Sequence, residues 1–509
     1  MMVLRESLKN EWWRNGQTSW LSGLAKVELT TVLAFVLPLV VYLLTLAPTI
    51  YNLDSAELTT AAATGGIIRA TGYPLYLILG GWWSHLPIGD VGYRMNLMSA
   101  VCGAVTLLLA ERILYRLKMS GWARLAAIGL LGTAPYFWTL SLIAEVYTLH
   151  TALMAGVILA LLAWREQPTP WRLALAVGLT AISLGNHLAT VLLVPGCVLF
   201  VLMVGKGNVL RPRIFIPALI ALLLGLSLYL YLPWRYGANP TFNYAGTFNA
   251  EGLFQPVNLQ TWDGLWWLIS GKAFAGQMGG YSLAGLGHEL LHFSEQLWQA
   301  FFGLGIGPAL LGLFILWRRD KTVTVFLLLL FVANVLFYAN YRVVDKDTMF
   351  LPTYLIWAIW LGVGYQQFLD WFTSPAAEPN GANRLVWLWR GLMLGIVGLA
   401  LVWNWGQVDQ SQDWSTRERS EAILALAEPN AIILGWWDTV PGIQYLQLVE
   451  DQRPDVLAIN RFLISGDDMS QLIEQNVAHR PVYINNPPAE FLQTMRVEPV
   501  GTVYRLYPK

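Results

Sequence analysis

Charge is scarce in this chain of 509 residues: 13% are Asp, Glu, Lys or Arg, about half the share of a soluble domain. With 56% hydrophobic residues, that scarcity excludes a disordered chain and an ordinary cytosolic enzyme. Lys+Arg and Asp+Glu each number 32, so no basic excess points to a nucleic-acid partner. Cysteine is nearly absent. Cys102 and Cys197 sit in apolar runs, make no metal spacing and no disulfide framework, and read as small buried hydrophobes. No internal repeat stands out, which argues against an inverted-repeat transporter. What is present, at a mean hydropathy of +0.48, is long apolar runs, and these describe a polytopic membrane protein.

Eleven runs are long enough to span, near 30–49, 97–117, 125–142, 145–164, 172–187, 188–205, 214–233, 297–317, 322–340, 350–368 and 391–405. The first begins only after Glu28 and reads as an uncleaved anchor. Loop cations are lopsided. Arg5, Lys9, Arg14 and Lys26 fall on one side with the groups around Arg116, Arg165, Arg211, Arg319 and Arg390; Arg69, Arg94, Arg235, Lys272, Arg342 and Lys346 fall on the other. The positive-inside rule puts the richer side in the cytoplasm. The expected organisation is a cytoplasmic segment 1–29, a transmembrane bundle 30–405 with outer loops 50–96 and 234–296, and an outward domain 406–509 in a plasma (inner) membrane. In the first outer loop, 59–68 and 76–83 read as short interfacial helices. In the second, Trp262, Trp266 and Trp267 suit an interfacial belt, and 374–383 reads as a polar linker.

From Gly406 onward the chain changes character: it holds 14 of the 32 acids and 8 of the 32 bases. Apolar runs at 431–435, 456–460 and 481–485 alternate with helical patterns at 440–450 and 468–476, and 500–507 adds a candidate edge strand. This describes a small α/β domain with a mainly parallel sheet. It carries no convincing catalytic set and reads as a docking or acceptor-binding module.

Polar groups at membrane depth are costly and are therefore functional candidates. Asp54 and Glu57 stand three apart and share a helical face, where two carboxylates raise each other's proton affinity, as proton transfer or metal binding would use. The same spacing is that of a helix-capping box. Arg69 lies in a turn between the two short helices. Arg94, Glu145, Tyr147, Asn186, His187, Arg235, Arg342, Asp345 and Lys346 are further candidates on the outer side. A lone arginine there also suits a lipid headgroup, and a lone histidine a packed core. His288 and His292 lack an evident third ligand and read as a wet amphipathic face. Outer cations that defy the sidedness bias call for an anion, and a phosphate beside a carboxylate base answers that best, because Arg pairs phosphate bidentately.

The run from Asp54-Ser-Ala-Glu57 through Gly72-Tyr-Pro-Leu-Tyr76 to Tyr93-Arg-Met-Asn-Leu97 resembles a family of multi-pass membrane proteins. Its animal member is a transmembrane protein O-mannosyltransferase, and the family belongs to the GT-C glycosyltransferases. Ala144-Glu-Val-Tyr-Thr-Leu149, Ser183-Leu-Gly-Asn-His187, Tyr229-Leu-Tyr-Leu-Pro233 and Asp345-Lys-Asp347 extend the likeness over roughly 30–370, and Trp437–Tyr445 with Arg453–Val456 carry it into the tail. The chain departs from the family at Ala56, where Gly is usual, and at Arg69-Ala70, where a His-Pro-type pair is usual.

The resemblance implies an all-α polytopic GT-C fold, a polyprenyl-phosphate sugar donor, and an acid of the first outer loop as catalytic base, a role that maps onto Asp54. Glu57 holds the second acidic position. The expected function is an inverting glycosyltransferase at the outer membrane face, moving a sugar to a hydroxyl of a protein, lipid or glycan acceptor; the alternative is a lipid or sugar flippase. No cofactor is required in such a reaction, though a divalent metal bridging Asp54 and Glu57 stays open. Charge and sidedness assign the departing phosphate to Arg94, Arg235, Arg342, Lys346 and His187. Glu145 is assigned to the acceptor or to holding His187.

Overall fold

A computed structural model of the chain describes residues 28–343, 345–372 and 379–509. The cations Arg5, Lys9, Arg14 and Lys26, on which part of the sidedness reading stands, lie outside the described residues, as does the linker over 374–378. From Pro379 the expected linker is instead helix, continuous to Val408.

Seven described helices are long and apolar enough to cross a membrane: Val91–Arg116, Val146–Glu166, Leu188–Leu210, Pro212–Gly237, Lys321–Ala339, Lys346–Trp371 and Arg384–Val408. Leu29–Thr45 and Gly121–Gly132 are apolar but shorter. The expected span 172–187 is the 17-residue helix Pro170–Asn186, and two others differ for local reasons. The run at 125–142 breaks before Pro135, which starts a six-residue helix, Pro135–Leu140. The run at 297–317 divides at Phe302 and Gly303, both with positive φ, into Leu283–Ala300 and Ile306–Arg319.

The latter helix packs against Leu351–Phe372 with almost no space between backbones. A Cβ on Gly312 would stand 1.8 Å from the Trp360 carbonyl oxygen, and one on Gly364 would stand 1.8 Å from that of Pro308. At the cation-rich end of the bundle, ion pairs tie helix ends together: Arg124 with Glu28 and Glu111, Arg116 with Glu166, Arg165 with Asp320, and Arg319 with Asp370. Helix direction places Asp54 at the opposite end.

That opposite end is built from the two outer loops and the tail. In the first loop the helices are Asp54–Thr64 and Pro74–Trp83. The first starts five residues earlier than the apolar pattern indicated, because Asp54 and Glu57 suit the positive end of a helix. It stops at Gly65, whose φ of 62° favours glycine and where a Cβ would strike the Arg235 guanidinium. The second loop forms a hairpin of β1 (Gly246–Phe248) and β2 (Phe254–Pro256), then a helix Trp262–Ile269. Trp262 and Trp266 stack and stay exposed, as a belt would; Trp267 turns inward against an apolar cluster around Leu268.

The tail is a five-stranded sheet. β3 (Ile432–Gly435) lies between β4 (Leu457–Asn460) and β5 (Val482–Ile484), all parallel, and β7 (Val503–Tyr507) and β6 (Arg496–Val500) continue antiparallel. The expected edge strand is therefore one from the edge. The edge is β6, which reads weakly in sequence because it carries Pro499, a residue that edges tolerate. Helix Val440–Val449 sets Val440, Ile443 and Tyr445 against Ile50 and Ala56 of the first outer loop. Arg417 secures the seam with two 2.7 Å bonds to Glu450 and one of 3.3 Å to Asp90.

Gly364→Ala adds one methyl where a backbone carbonyl already stands. It is expected to cost about 1–3 kcal/mol, read as a lowered unfolding temperature in detergent; an unchanged transition would contradict the helix contact.

Candidate active site

Asp54 is the first residue of its helix, and Leu53 holds the N-cap position without a side-chain cap. Neither carboxylate caps the helix, so the capping-box alternative does not describe this turn. Both reach across to Arg69: one guanidinium nitrogen donates to Asp54 Oδ2, the other to Glu57 Oε2, and the Arg69 backbone N–H donates to Glu57 Oε1 at 3.3 Å. The Glu57 side chain is 1% exposed, against 20% for Asp54 and 16% for Arg69. Burial pushes Glu57 above the usual carboxylate range; the Arg69 charge opposes that shift and the Asp54 charge adds to it.

The third partner comes from the tail. Trp437, two residues beyond β3, donates its indole N–H to Glu57 Oε2 at 2.8 Å and lays its ring 4.6 Å from the Arg69 guanidinium carbon. Tyr244 meets the same indole edge-on at 6.1 Å, and Phe462 at 4.7 Å. The tail thus forms part of the site, rather than only a separate docking module.

A cavity of about 270 Å³ opens beside this cluster. Asp54, Arg69, Tyr73, Tyr147, His187 and Asp345 supply its polar wall, and Leu188, Leu192, Phe337 and Met349 an apolar one. Arg69 is the one cation among its described lining residues. His187 accepts from the Ala189 N–H at 3.1 Å through Nδ1, which leaves the ring proton on Nε2. Burial, and then the Asp54 charge, raises Asp345 above the ordinary carboxylate range. The Tyr341 hydroxyl is pushed up to about 12 by burial. Asp54 therefore shares a half-apolar space with one cation, one imidazole, a second carboxylate and four tyrosines.

The remaining sequence candidates have other positions. Arg94 binds three backbone carbonyls, those of Ser84, Ile88 and Gly89, at 2.6–2.9 Å. Arg235 binds the Gly65 carbonyl at 2.6 Å, satisfying the end of helix Asp54–Thr64. Arg342 is exposed and turns toward Tyr281, while its neighbours Tyr341 and Val343 line the cavity. Lys346 pairs with Glu289 and donates to the Tyr281 hydroxyl at 3.1 Å. Glu145 is buried and accepts from the Val146 N–H at 3.3 Å, and Asn186 clips two helices through the Val146 carbonyl at 3.1 Å. His292, read from sequence as a wet face, meets Asp347 at 3.1 Å.

Arg69 and Trp437 are thus the residues to which sequence reasoning gave no role. Arg69 had a signal: two acids on one helical face need a cation, and Arg69 follows the glycine pair that turns the chain back. Trp437 opens the tail segment that carries the family likeness, but nothing in the sequence ties it to Glu57, 380 residues away. The place between Asp54 and Glu57 where a bridging metal was left open is filled by the Arg69 guanidinium. Among the described residues no three His, Cys, Asp or Glu side chains gather as a metal site.

The fold and this site describe a polytopic membrane protein with a polar cavity at one end of its helical bundle. The crystal structure of ArnT from Cupriavidus metallidurans bound to undecaprenyl phosphate superposes with a TM-score of 0.58 at 12% identity, covering 93% of this chain and 97% of that one; the apo form gives 0.59. Residues 54–210 match the family described as Protein O-mannosyl-transferase TMEM260 N-terminal domain, and the match begins at Asp54 itself. Curated relatives include the TMEM260 protein O-mannosyl-transferases of Dictyostelium discoideum, 21% identical over 89% of this chain, and of Mus musculus, 26% identical over 88%. The chain spans 63% and 64% of their lengths.

Trp437→Phe keeps the ring over Arg69 but strips the donor from a buried carboxylate. The expected cost is about 1–3 kcal/mol, measured as a lowered thermal transition of the full-length protein. A transition equal to that of the unaltered chain would show that the indole N–H holds nothing.

Proposed function

We propose that this protein transfers a sugar, mannose by likeness to its relatives, from a polyprenyl-phosphate donor to an acceptor hydroxyl with inversion at the anomeric carbon. The observation that carries the reading is Asp54 standing with Arg69 at a cavity whose other wall is apolar. That combination suits an anionic headgroup on a hydrocarbon chain beside a base. The ArnT structure, whose fold this chain shares, was solved with such a lipid phosphate.

In the reaction Asp54 takes the acceptor proton. The hydroxyl oxygen forms its bond to the anomeric carbon as the bond from that carbon to the phosphate oxygen breaks, and the electron pair leaves on the phosphate. Arg69 is the cation placed to meet that charge. Its guanidinium has five N–H donors, and the two carboxylates use only part of them. A fixed charge in a poorly hydrated cavity stabilises a developing anion far more than one in water. His187, with its proton on Nε2, is a second donor on the same wall. Glu57 holds Arg69 in place and does not itself meet substrate. A monophosphate leaving group paired with Arg69 calls for no metal.

The site stands at the end of the bundle opposite the cation-rich one. Under the positive-inside rule that end is outside, so the donor is met at the outer leaflet of a plasma (inner) membrane and the tail is extracytoplasmic. A protein acceptor is in keeping with the relatives' names.

Purified protein in liposomes with polyprenyl-phosphate mannose and a Ser/Thr peptide tests the reading. Asp54→Asn should lower turnover by ~10²–10⁴-fold without loss of expression. Arg69→Gln should also cripple turnover, whereas Arg94→Gln, away from the cavity, should leave it within a few-fold. Full transfer by Asp54→Asn would remove the mechanism; equal losses at Arg69 and Arg94 would remove the phosphate assignment.

A further inference from the structure

A second cavity, of about 430 Å³, lies between the tail and the second outer loop. One side is the β1–β2 hairpin, through Phe248, Phe254 and Pro256; the other is strand β4 and helix Val440–Val449, through Ala458, Gln444 and Gln447. None of its lining residues is Asp, Glu, Lys, Arg or His. In a region otherwise threaded with ion pairs, that neutrality selects against a lipid phosphate and against a charged polymer.

The groove also has a strand-like shape. β4 is an edge strand, bound to β3 on one side only. Leu457 donates to the Ala431 carbonyl on the β3 side at 2.9 Å, so by strand alternation the polar groups of Val456 and Ala458 face the groove. Gln447 donates to the Val456 carbonyl at 2.8 Å and Gln444 to that of Ala458 at 3.1 Å. These two side chains take up the edge carbonyls and thereby guard against indiscriminate strand pairing. They leave an outward backbone N–H, amide groups and aromatic faces.

The groove connects to the reacting end through one wall. Tyr244 donates to Gln444 Oε1 at 2.5 Å and packs its ring on Trp437, which holds Glu57. We infer that this groove is a subsite for the acceptor: it seats a neutral, extended polypeptide segment that flanks the hydroxyl-bearing residue. This rests on the transferase reading above and names where the acceptor is recognised.

The test uses the full-length protein in liposomes with polyprenyl-phosphate mannose. Two acceptors are compared, a Ser/Thr peptide of about twelve uncharged residues and a blocked single threonine. Thr241→Trp places bulk at an exposed position of the groove rim, and Phe254→Ala removes one of its aromatic faces. Both should raise KM for the long peptide about tenfold or more, with kcat for that peptide and transfer to blocked threonine unchanged. Equal KM values for the long peptide, or equal losses with both acceptors, would overturn the subsite. A glycan acceptor impaired by the same variants, with the peptide unaffected, would overturn the polypeptide assignment. If the unaltered protein transfers to neither acceptor while variants and parent bind the peptide alike, both the transferase reading and the subsite fall. Loss of peptide binding by the variants in that case would keep the groove and remove only the chemistry.

Discussion

Glu57 is a carboxylate buried at the end of the bundle away from the cation-rich one, in a chain with little charge to spare, and its need for partners organises that end. An unpaired charge in such a place costs several kcal/mol. The partners come from distant parts of the sequence: Arg69 from across the glycine turn, Trp437 from the tail. Meeting the need of one side chain therefore brings the first outer loop and the tail to one point. Asp54, one helical turn earlier, shares Arg69 but remains a fifth exposed. The pair divides the work: the buried acid anchors the cation, and the open one faces the cavity. An arginine suits this position because its planar fork serves two carboxylates at once, which a lysine ammonium does less well.

The two ends of the bundle use charge differently. At the cation-rich end, Arg116, Arg165 and Arg319 each pair with an acid on a neighbouring helix, and the pairs fasten helix ends. At the other end two of the cations are given to backbone: Arg94 and Arg235 hold carbonyls that the loop turns leave without partners, while Lys346 pairs with Glu289. Only Arg69 among the cavity's described lining is left in position to meet an anion. The tail reaches the cavity through Phe462, which stacks on Phe274 of the cavity wall at 5.8 Å.

Much of this was legible in the chain, for reasons that can be stated. Apolar runs mark helices that lie in lipid, because every backbone group must be satisfied within the segment; where Pro135 or the Phe302-Gly303 turn interrupts, the run reads longer than the helix. The tail's three parallel strands were plain in Ala431–Gly435, Val456–Asn460 and Pro481–Asn485, since strands covered on both faces are continuous apolar runs. β6, with Arg496, Glu498 and Pro499, has no such run and pairs only at the edge. Asp54 and Glu57 stood out because the chain has so few acids in its body. Arg94, Arg235, Arg342 and Lys346 stood out for the same reason, but charge and sidedness do not say whether an arginine will spend its donors on a carbonyl, an acid or a ligand. That depends on turns such as Gly65-Gly66, and on a tail folding back over hundreds of residues to deliver Trp437.

The central claim is that Arg69 and Asp54 together form the place where a lipid-borne phosphate is met. A cryo-electron microscopy structure of the protein with bound polyprenyl phosphate tests it most directly. The account predicts the phosphate oxygens within about 3 Å of the Arg69 guanidinium, the isoprenoid chain along Leu188, Leu192 and Phe337, and Asp54 open to the headgroup. A phosphate bound at Arg94 or Arg342, with the Arg69 cluster untouched, would contradict it.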